Sequence, residues 1–184
     1  MNELTDVTNE FITLIKNKEK ISDIQDYYVK NKYNIDLSVD DDYVFRNACK
    51  NNNMELIKFL YPLKIWNLKA EPDNELTDRY YDAFRFCCEL GYLEVAKWLI
   101  KVEPKYILDI NDDIFSCVCM NGHLSVAQWL LKIKPDIDIS ADNEEAFRMV
   151  CSEGDLEVSK WLLKIKPGKT VRDYLLYWII MRLQ

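Results

Sequence analysis

Three copies of one pattern decide the fold: FRFCCELGYLEVAKWLIKVEP at residues 84–104, FSCVCMNGHLSVAQWLLKIKP at 115–135 and FRMVCSEGDLEVSKWLLKIKP at 147–167. Within each copy the steps from Phe to Gly, from Gly to Trp and from Trp to Pro are the same. Between copies the period is 31 residues and then 32. A period in this range is typical of stacked structural repeats, so the pattern predicts a repeat architecture.

Each copy predicts two helices joined by a glycine turn. In the first copy Phe84, Cys87 and Cys88 have the i, i+3, i+4 spacing of one helix face, and Gly91 falls where a helix must end. A second helix is predicted from Leu93 to about residue 101, and over residues 124–132 and 156–164 in the other copies. Its apolar residues lie on more than one side, so neighbouring copies must cover it. The expected fold class is all-α, a solenoid of helical hairpins with short connecting loops.

The repeat resembles the ankyrin repeat. The resemblance rests on the run FRMVCSEGDLEVSKWLL from Phe147 and on Gly122-His123-Leu124, which matches the family's Gly-His-Leu step. Residues 136–139, Asp-Ile-Asp-Ile, look like the segment that opens the family's hairpin finger. The chain departs from the family because it lacks Thr-Pro-Leu-His and carries Cys and Trp at small and aliphatic positions. In this choice of residues it is most similar to the ankyrin proteins of giant DNA viruses.

The repeat register divides the chain into six segments. We expect an N-terminal helical cap built as a degenerate repeat over residues 1–40, four repeats over 41–78, 79–109, 110–141 and 142–168, and a C-terminal capping helix over 169–184. In the first repeat Asn52 takes the glycine position, and Asn tolerates the left-handed conformation better than most residues. Residues 61–78 are expected to form an enlarged loop, which either contributes to binding or has drifted neutrally. The apolar C-terminal helix either covers the end of the stack or exposes a patch for self-association.

The charge of the chain and its lack of targeting signals limit the classes of function that we expect. The chain of 184 residues has 24 Lys and Arg against 31 Asp and Glu, a formal net charge of −7. Affinity for nucleic acid comes mainly from neutralising phosphates, so we expect no nucleic-acid partner. The acidic N-terminus has no apolar region of a signal peptide, and the longest apolar tract is too short to span a bilayer. We therefore expect an intracellular protein, in the host-cell cytoplasm if it is viral, that is neither secreted nor membrane-bound.

The six cysteines are predicted to be structural thiols. Four of them occupy the same repeat position: Cys49, Cys88, Cys119 and Cys151. Equivalent positions on stacked helices lie about 8–10 Å apart. A disulfide requires Cα atoms within about 7 Å, so this regular spacing favours a small core residue over a disulfide framework.

Tests for catalytic, metal and cofactor sites find little. His123 is the only histidine, and the resemblance implies a structural role for it at a helix entry. The cysteine spacings are adjacent or one apart, unlike the C-x₂-C knuckle of a zinc site. Residues 136–142 start like a calcium loop, but the required glycine and glutamate positions hold Ala141 and Phe147. Three tryptophans recur at repeat spacing and are interpreted as core residues: Trp98, Trp129 and Trp161. We expect no enzyme activity, no catalytic residues, no cofactor and no metal.

The resemblance implies a protein–protein interaction module that binds its partner on the concave surface of finger tips and first helices. The finger positions carried over from the family are Asp78, Arg79 and Tyr81; Asp109, Ile110 and Asp112; and Ala141, Asp142 and Glu144. The first-helix positions are Lys50-Asn51, Glu89-Leu90, Met120-Asn121 and Ser152-Glu153. Because most of these are acidic or neutral, we expect a monomer whose protein partner presents a basic or mixed-charge patch. Two alternatives stay open: a self-associating solenoid subunit of a larger assembly, and a thiol- or metal-dependent enzyme.

Overall fold

The structure is a computed structural model, and it describes residues 2–37, 39–68, 83–166 and Leu176. Throughout these ranges the backbone forms helices and turns, with no strand. The chain divides into two compact units, Met1–Ala83 and Phe84–Gln184. The described residues are therefore all-α, as the repeat pattern predicts.

Up to residue 68, the described part of the first unit contains two helical pairs. Its helices are α1 (Asn2–Lys16), α2 (Ile21–Asn31), α3 (Val39–Lys50) and α4 (Met54–Leu68). Aromatic rings connect the pairs, since Tyr28 of α2 lies 5.9 Å from Phe11 of α1 and 5.7 Å from Phe59 of α4. The buried Thr8 hydroxyl accepts a hydrogen bond from the Asp36 N–H (3.0 Å), which fixes the segment after α2. The two helices expected within residues 3–32 are thus observed.

The start of the enlarged loop was predicted wrongly. Residues 61–68 continue α4, so the connection begins no earlier than residue 69. Pro62 lies inside this helix, where it removes one backbone hydrogen bond and normally favours an end. The neighbouring Leu60 and Tyr61 are buried, 2% and 7% exposed, and this packing outweighs the local preference of proline. Residues 69–82, the rest of the expected loop, lie outside the described residues.

The second unit contains three helical pairs in series. Helix α5 comprises residues 83–89 and is followed by α6 (Leu93–Val102), α7 (Tyr106–Asp109), α8 (Asp112–Met120), α9 (Leu124–Ile133), α10 (Ala141–Glu153) and α11 (Leu156–Ile165). The predicted second helices therefore end within one residue of their observed ends. The C-terminal capping helix lies outside the described residues except for Leu176, which is helical and 47% exposed.

The short helix α7 was not expected. The sequence around it was assigned to a hairpin finger, and the next connection, residues 134–140, contains turns and no helix. In α7, Tyr106 is 1% exposed and its ring stacks on Phe84 at 6.3 Å. Burial of this aromatic ring holds the connection against the repeat core.

One turn geometry closes the first helix in four of the five described pairs, all but the last. The Gly91 N–H donates to the Cys88 carbonyl (3.0 Å) and the Tyr92 N–H donates to the Cys87 carbonyl (2.8 Å). The equivalent two bonds form at residues 18–19, 52–53 and 122–123. The residue at the turn has a positive φ in every pair: 55° at Lys18, 53° at Asn52, 75° at Gly91 and Gly122, and 77° at Gly154. The left-handed conformation predicted for the glycines and for Asn52 is confirmed.

The repeats of the second unit pack through equivalent side chains. Cys88, Cys119 and Cys151 are each 0% exposed and fill the same position in the core. The Trp129 ring lies 6.4 Å from Phe84 of the preceding repeat, and the Trp161 ring lies 6.2 Å from Phe115 in the same way. Both contacts join the second helix of one pair to the first helix of the pair before it, which is the register of a solenoid.

Candidate functional site

The first helices of the second unit place equivalent residues on one accessible face. Counted from Phe84, Phe115 and Phe147, the third and fourth following residues are fully buried. The second, fifth and sixth following residues are half-buried or exposed. We call these nine residues the first-helix face: Phe86, Glu89 and Leu90; Cys117, Met120 and Asn121; Met149, Ser152 and Glu153.

Six of the nine were predicted from the sequence. Leu90 is 38% exposed, and Asn121, Ser152 and Glu153 are exposed, whereas Glu89 and Met120 are half-buried. Asn121 also links two repeats, because its side-chain Nδ2 donates to the Glu89 carbonyl (3.0 Å). Lys50 and Asn51, the equivalent pair of the first unit, are exposed.

Three further residues of this face were missed. Phe86, Cys117 and Met149 occupy one repeat position, and we call them the apolar stripe. Phe86 is 42% exposed, Met149 is 38% exposed and Cys117 is half-buried. The signal was present in the sequence, because an apolar residue recurs at a position outside the i, i+3, i+4 core spacing.

The middle of the stripe is surrounded by charged side chains. Burial raises the pKa of the Cys117 thiol, and the carboxylates of Glu89, Asp113 and Glu145 raise it further. The positive charge of Arg85 lowers the pKa of this thiol. Residues of all three first helices therefore act on this one thiol, which remains protonated and unreactive at neutral pH.

The finger positions of the last two connections lie at or next to the starts of α8 and α10: Asp112 is the first residue of α8, and Ala141, Asp142 and Glu144 belong to the first turn of α10. The Asp112 carboxylate accepts from the Asp138 N–H (2.9 Å), so it joins two neighbouring connections. Ala141 and Glu144 are half-buried, and Asp142 is exposed. Asp142 and Glu144 have positive φ values of 47° and 64°, a backbone strain of about 1–2 kcal/mol per residue.

Two hydrogen-bonded contacts hold this strained turn. The Lys166 Nζ lies 2.8 Å from Glu144 Oε1, in an ion pair whose side chains are 20% and 19% exposed. The Arg148 guanidinium donates to the Asp142 carbonyl (3.1 Å). The start of α10 is thus fixed by a residue from its own helix and by one from the end of α11.

Ile110 does not belong to the accessible surface. It is 1% exposed, because it begins the segment between α7 and α8 and turns into the core beneath them. A partner cannot contact this side chain, and we leave it out of the proposed surface. The backbone of Asp109 ends α7, and the predicted Asp78, Arg79 and Tyr81 lie outside the described residues.

Three of the thiols at the shared repeat position are held protonated by burial. Burial raises the pKa of Cys88, Cys119 and Cys151 above the ordinary value of a thiol. Such thiols are poor nucleophiles and poor ligands at neutral pH. Within the described residues, no three His, Cys, Asp or Glu side chains are grouped to hold a metal ion.

His123 and the tryptophans have packing roles. A Cβ placed on Gly91 would lie 2.5 Å from Nδ1 of His123, so the imidazole lies directly over the glycine of the preceding repeat. Trp129 and Trp161 contact the phenylalanines described above and are half-buried. These contacts support the core interpretation of the tryptophans over a ligand-stacking platform.

Helical pairs in series, a shared left-handed turn and one packing register define the second unit as a helical-hairpin solenoid. Residues 84–173 match the family model described as Ankyrin repeats (3 copies). This stretch is just under half of the chain, and it contains all three copies of the sequence pattern. The fold class is therefore an ankyrin-type solenoid, a class whose members are generally protein–protein interaction modules.

The other comparisons add no relative: the chain matches no curated protein and no solved structure. Among the helices that the structure describes, none is long and apolar enough to cross a bilayer.

Proposed function

We propose that the chain binds a partner protein through the first-helix face of its second unit, together with the start of α10. The apolar stripe lies at the centre of this face and charged residues lie around it. Protein interfaces commonly combine an apolar centre with a polar rim. The stripe within its charged rim is the observation that carries the proposal.

The charged residues around the apolar stripe favour a partner with a basic or mixed-charge patch. Arg85 already pairs with Glu89 (2.7 Å), and Lys166 already pairs with Glu144. In the described part of the chain, Asp142, Glu145 and Glu153 form no ion pair. These carboxylates remain available to cations of a partner, which would speed association electrostatically.

The remaining parts of the proposal rest on the sequence. The net charge of −7 supports a protein partner over nucleic acid, and we propose a monomer. The host-cell location follows only from the resemblance to viral ankyrin proteins and stays a prediction. The self-associating alternative depends on residues 170–184, of which the structure describes Leu176 alone, so it also stays a prediction.

A capture experiment with matched variants tests the surface. Phe86→Ser with Met149→Ser removes the two ends of the stripe, and Leu156→Ser removes an apolar side chain, 56% exposed, that lies outside the face. We expect a protein captured from native cells by the unaltered chain and by Leu156→Ser to be lost with the double variant. Equal capture by all three proteins would place the binding surface elsewhere.

The partner's charge is tested by kinetics. Once the captured protein is purified, its association rate should fall as salt rises from about 0.05 to 0.5 M, because screening shortens the range of electrostatic attraction. Glu145→Gln with Glu153→Gln should lower the rate at low salt and flatten this dependence. A rate that is unchanged by salt would contradict a basic or mixed-charge partner patch.

A further inference from the structure

The turn after each first helix controls how closely two helical pairs approach. At Gly91 and Gly122 the next pair places a side chain directly over the turn: a Cβ would lie 2.5 Å from His123 Nδ1 and 2.7 Å from Asp155 Oδ2. Any residue with a Cβ at these positions would force the neighbouring turn away. Glycine therefore permits the close contact that fills the space between turns.

In the first unit the same position holds Lys18. Its N–H donates to the Ile15 carbonyl (3.1 Å), the Glu19 N–H donates to the Leu14 carbonyl (3.1 Å), and its φ is 55°. Lys18 follows Phe11 at the spacing by which Gly91 follows Phe84. Lys18 carries the Cβ that the glycines lack, and it is exposed, as are Asn52 and Asn53 of the next turn.

A cleft of about 560 Å³ lies between these two turns. This volume is within the range of about 300–1,000 Å³ that is usual for ligand sites. The apolar part of its lining includes Ile15, Ile24 and Leu56, which are 5%, 3% and 2% exposed. The cleft can therefore receive one aliphatic side chain of a ligand.

The polar part of the lining is rich in carboxamides. Asn51, Asn52 and Asn53 all border the cleft. Asn53 Oδ1 accepts from the Leu56 N–H (3.1 Å) and Asn51 Nδ2 donates to the Asn47 carbonyl (2.8 Å), whereas the Asn52 side chain makes no hydrogen bond within the described residues. Free groups thus remain on all three amides, and a carboxamide can both donate and accept.

The charges that border the cleft balance one another. Lys16 and Lys18 contribute two cations, and Glu19 and Glu55 contribute two carboxylates. This balance favours neither an anionic nor a cationic ligand. A ligand with neutral groups that donate and accept fits best, and the peptide group is such a group.

We propose that this cleft binds an extended peptide segment of a partner protein, with peptide groups on the asparagines and one aliphatic side chain on the apolar floor. The site belongs to the first unit and is separate from the first-helix face. Its binding is therefore independent of the function proposed for the second unit.

Two glycine variants of the full chain test the site without weakening the fold. Asn52→Gly removes one carboxamide and Lys18→Gly removes a charged side chain that lines the cleft. Both residues have a left-handed backbone, which glycine adopts without strain, so both variants should be at least as stable as the unaltered protein. Urea unfolding checks this before binding is measured.

The probe is N-acetyl-leucine N-methylamide, which has two peptide groups and one aliphatic side chain. Titrated into ¹⁵N-labelled protein, it should shift the side-chain amide signals of Asn51, Asn52 and Asn53 saturably. Asn52→Gly should weaken binding about fivefold, the effect of one net hydrogen bond, and Lys18→Gly should also weaken binding because it removes part of the lining. Isobutanol, which lacks peptide groups, should produce no saturable shift. Absence of localised shifts, or binding by both glycine variants as strong as that of the unaltered protein, would overturn the proposal.

Discussion

Glycine residues at the turns have two separable roles, conformation and close contact. Gly91 and Gly154 share a φ near 75°, but only Gly91 has a neighbour within reach of a Cβ. We expect Gly91→Ala to lower the free energy of unfolding by about 2–4 kcal/mol, the sum of left-handed strain and a collision with His123. Urea unfolding at neutral pH measures this change.

Gly154→Ala is the matched control for conformation alone. A Cβ at Gly154 meets nothing within 4 Å. This variant should therefore lower the free energy of unfolding by only about 1–2 kcal/mol, the cost of the left-handed backbone alone. Equal losses at the two positions would show that the approach of His123 to Gly91 does not limit the turn.

Burial of the repeat cysteines makes the free energy of unfolding depend on pH in the alkaline range. The pKa of Cys151 is raised to about 11 by burial, against about 9.0 for an ordinary thiol. Between these values the unfolded thiol ionises while the folded thiol keeps its proton, so the free energy of unfolding falls as pH rises. The slope for one such group is at most about 1.4 kcal/mol per pH unit.

Cys151→Ala isolates this thiol from other groups that titrate in the same range. Urea unfolding from about pH 9 to 11 should give a shallower decline for the variant than for the unaltered protein. Between about pH 6 and 8, where the thiol stays protonated in both states, the two slopes should match. Parallel declines above pH 9 would show that Cys151 has an ordinary pKa in the folded protein.

Residue roles that follow from periodicity could be predicted from the sequence, and roles set by neighbours in space could not. The left-handed turn at Asn52 and the core position of Cys88 follow from alignment of the copies. The burial of Ile110 does not, because it depends on how α7 and α8 fold over the connection. The exposure of Phe86 and Met149 was missed because only the first-helix positions carried over from the family were considered, and this position is not one of them.

At the scale of elements, α11 has a side-chain cap that α6 and α9 lack. Asp155 Oδ1 accepts from the Glu157 N–H (2.9 Å) and the Val158 N–H (3.0 Å), whereas Tyr92 and His123 make no side-chain cap bond. We expect Asp155→Ala to lower the free energy of unfolding by about 1 kcal/mol, with a range of about 0.5–2. Thermal unfolding followed by circular dichroism measures the change.

Asp155→Asn is the conservative control for the cap. Asn retains an oxygen that can accept both bonds and ranks with Asp at this position. Asp155→Asn should therefore lower the free energy of unfolding by only a few tenths of a kcal/mol. If Ala and Asn were equally destabilising, the carboxylate charge rather than the cap bonds would stabilise α11.

Element boundaries were predictable where local signals and packing agree. The second helices end near the lysines and prolines that mark them in sequence. Helix α4 passes through Pro62 because its buried residues outweigh the proline, and α7 forms because Tyr106 packs on Phe84. Both departures depend on contacts between distant residues, which a local pattern does not contain.

At the scale of the whole molecule, the pair α1–α2 ends its first helix with the same turn as the later pairs. Lys18 adopts the same left-handed turn as the glycines, with the same two hydrogen bonds. Lysine does not favour this conformation, so the turn is imposed by the helical pair rather than by its residue. The assignment of residues 1–40 to a degenerate repeat stays a prediction.

Stability of a solenoid depends on contacts between neighbouring repeats, and the aromatic pairs make this measurable. In a double-mutant cycle with Phe84→Leu and Trp129→Leu, we expect a coupling energy of about 0.5–1.5 kcal/mol, because the rings lie 6.4 Å apart across one repeat interface.

The control cycle pairs Phe84→Leu with Trp161→Leu, whose rings belong to repeats that are not adjacent. Its coupling should stay within about 0.5 kcal/mol of zero. Both cycles are read from urea unfolding. Equal coupling in the two cycles would mean that the second unit responds as one packed core, and the nearest-neighbour description of its repeats would be wrong.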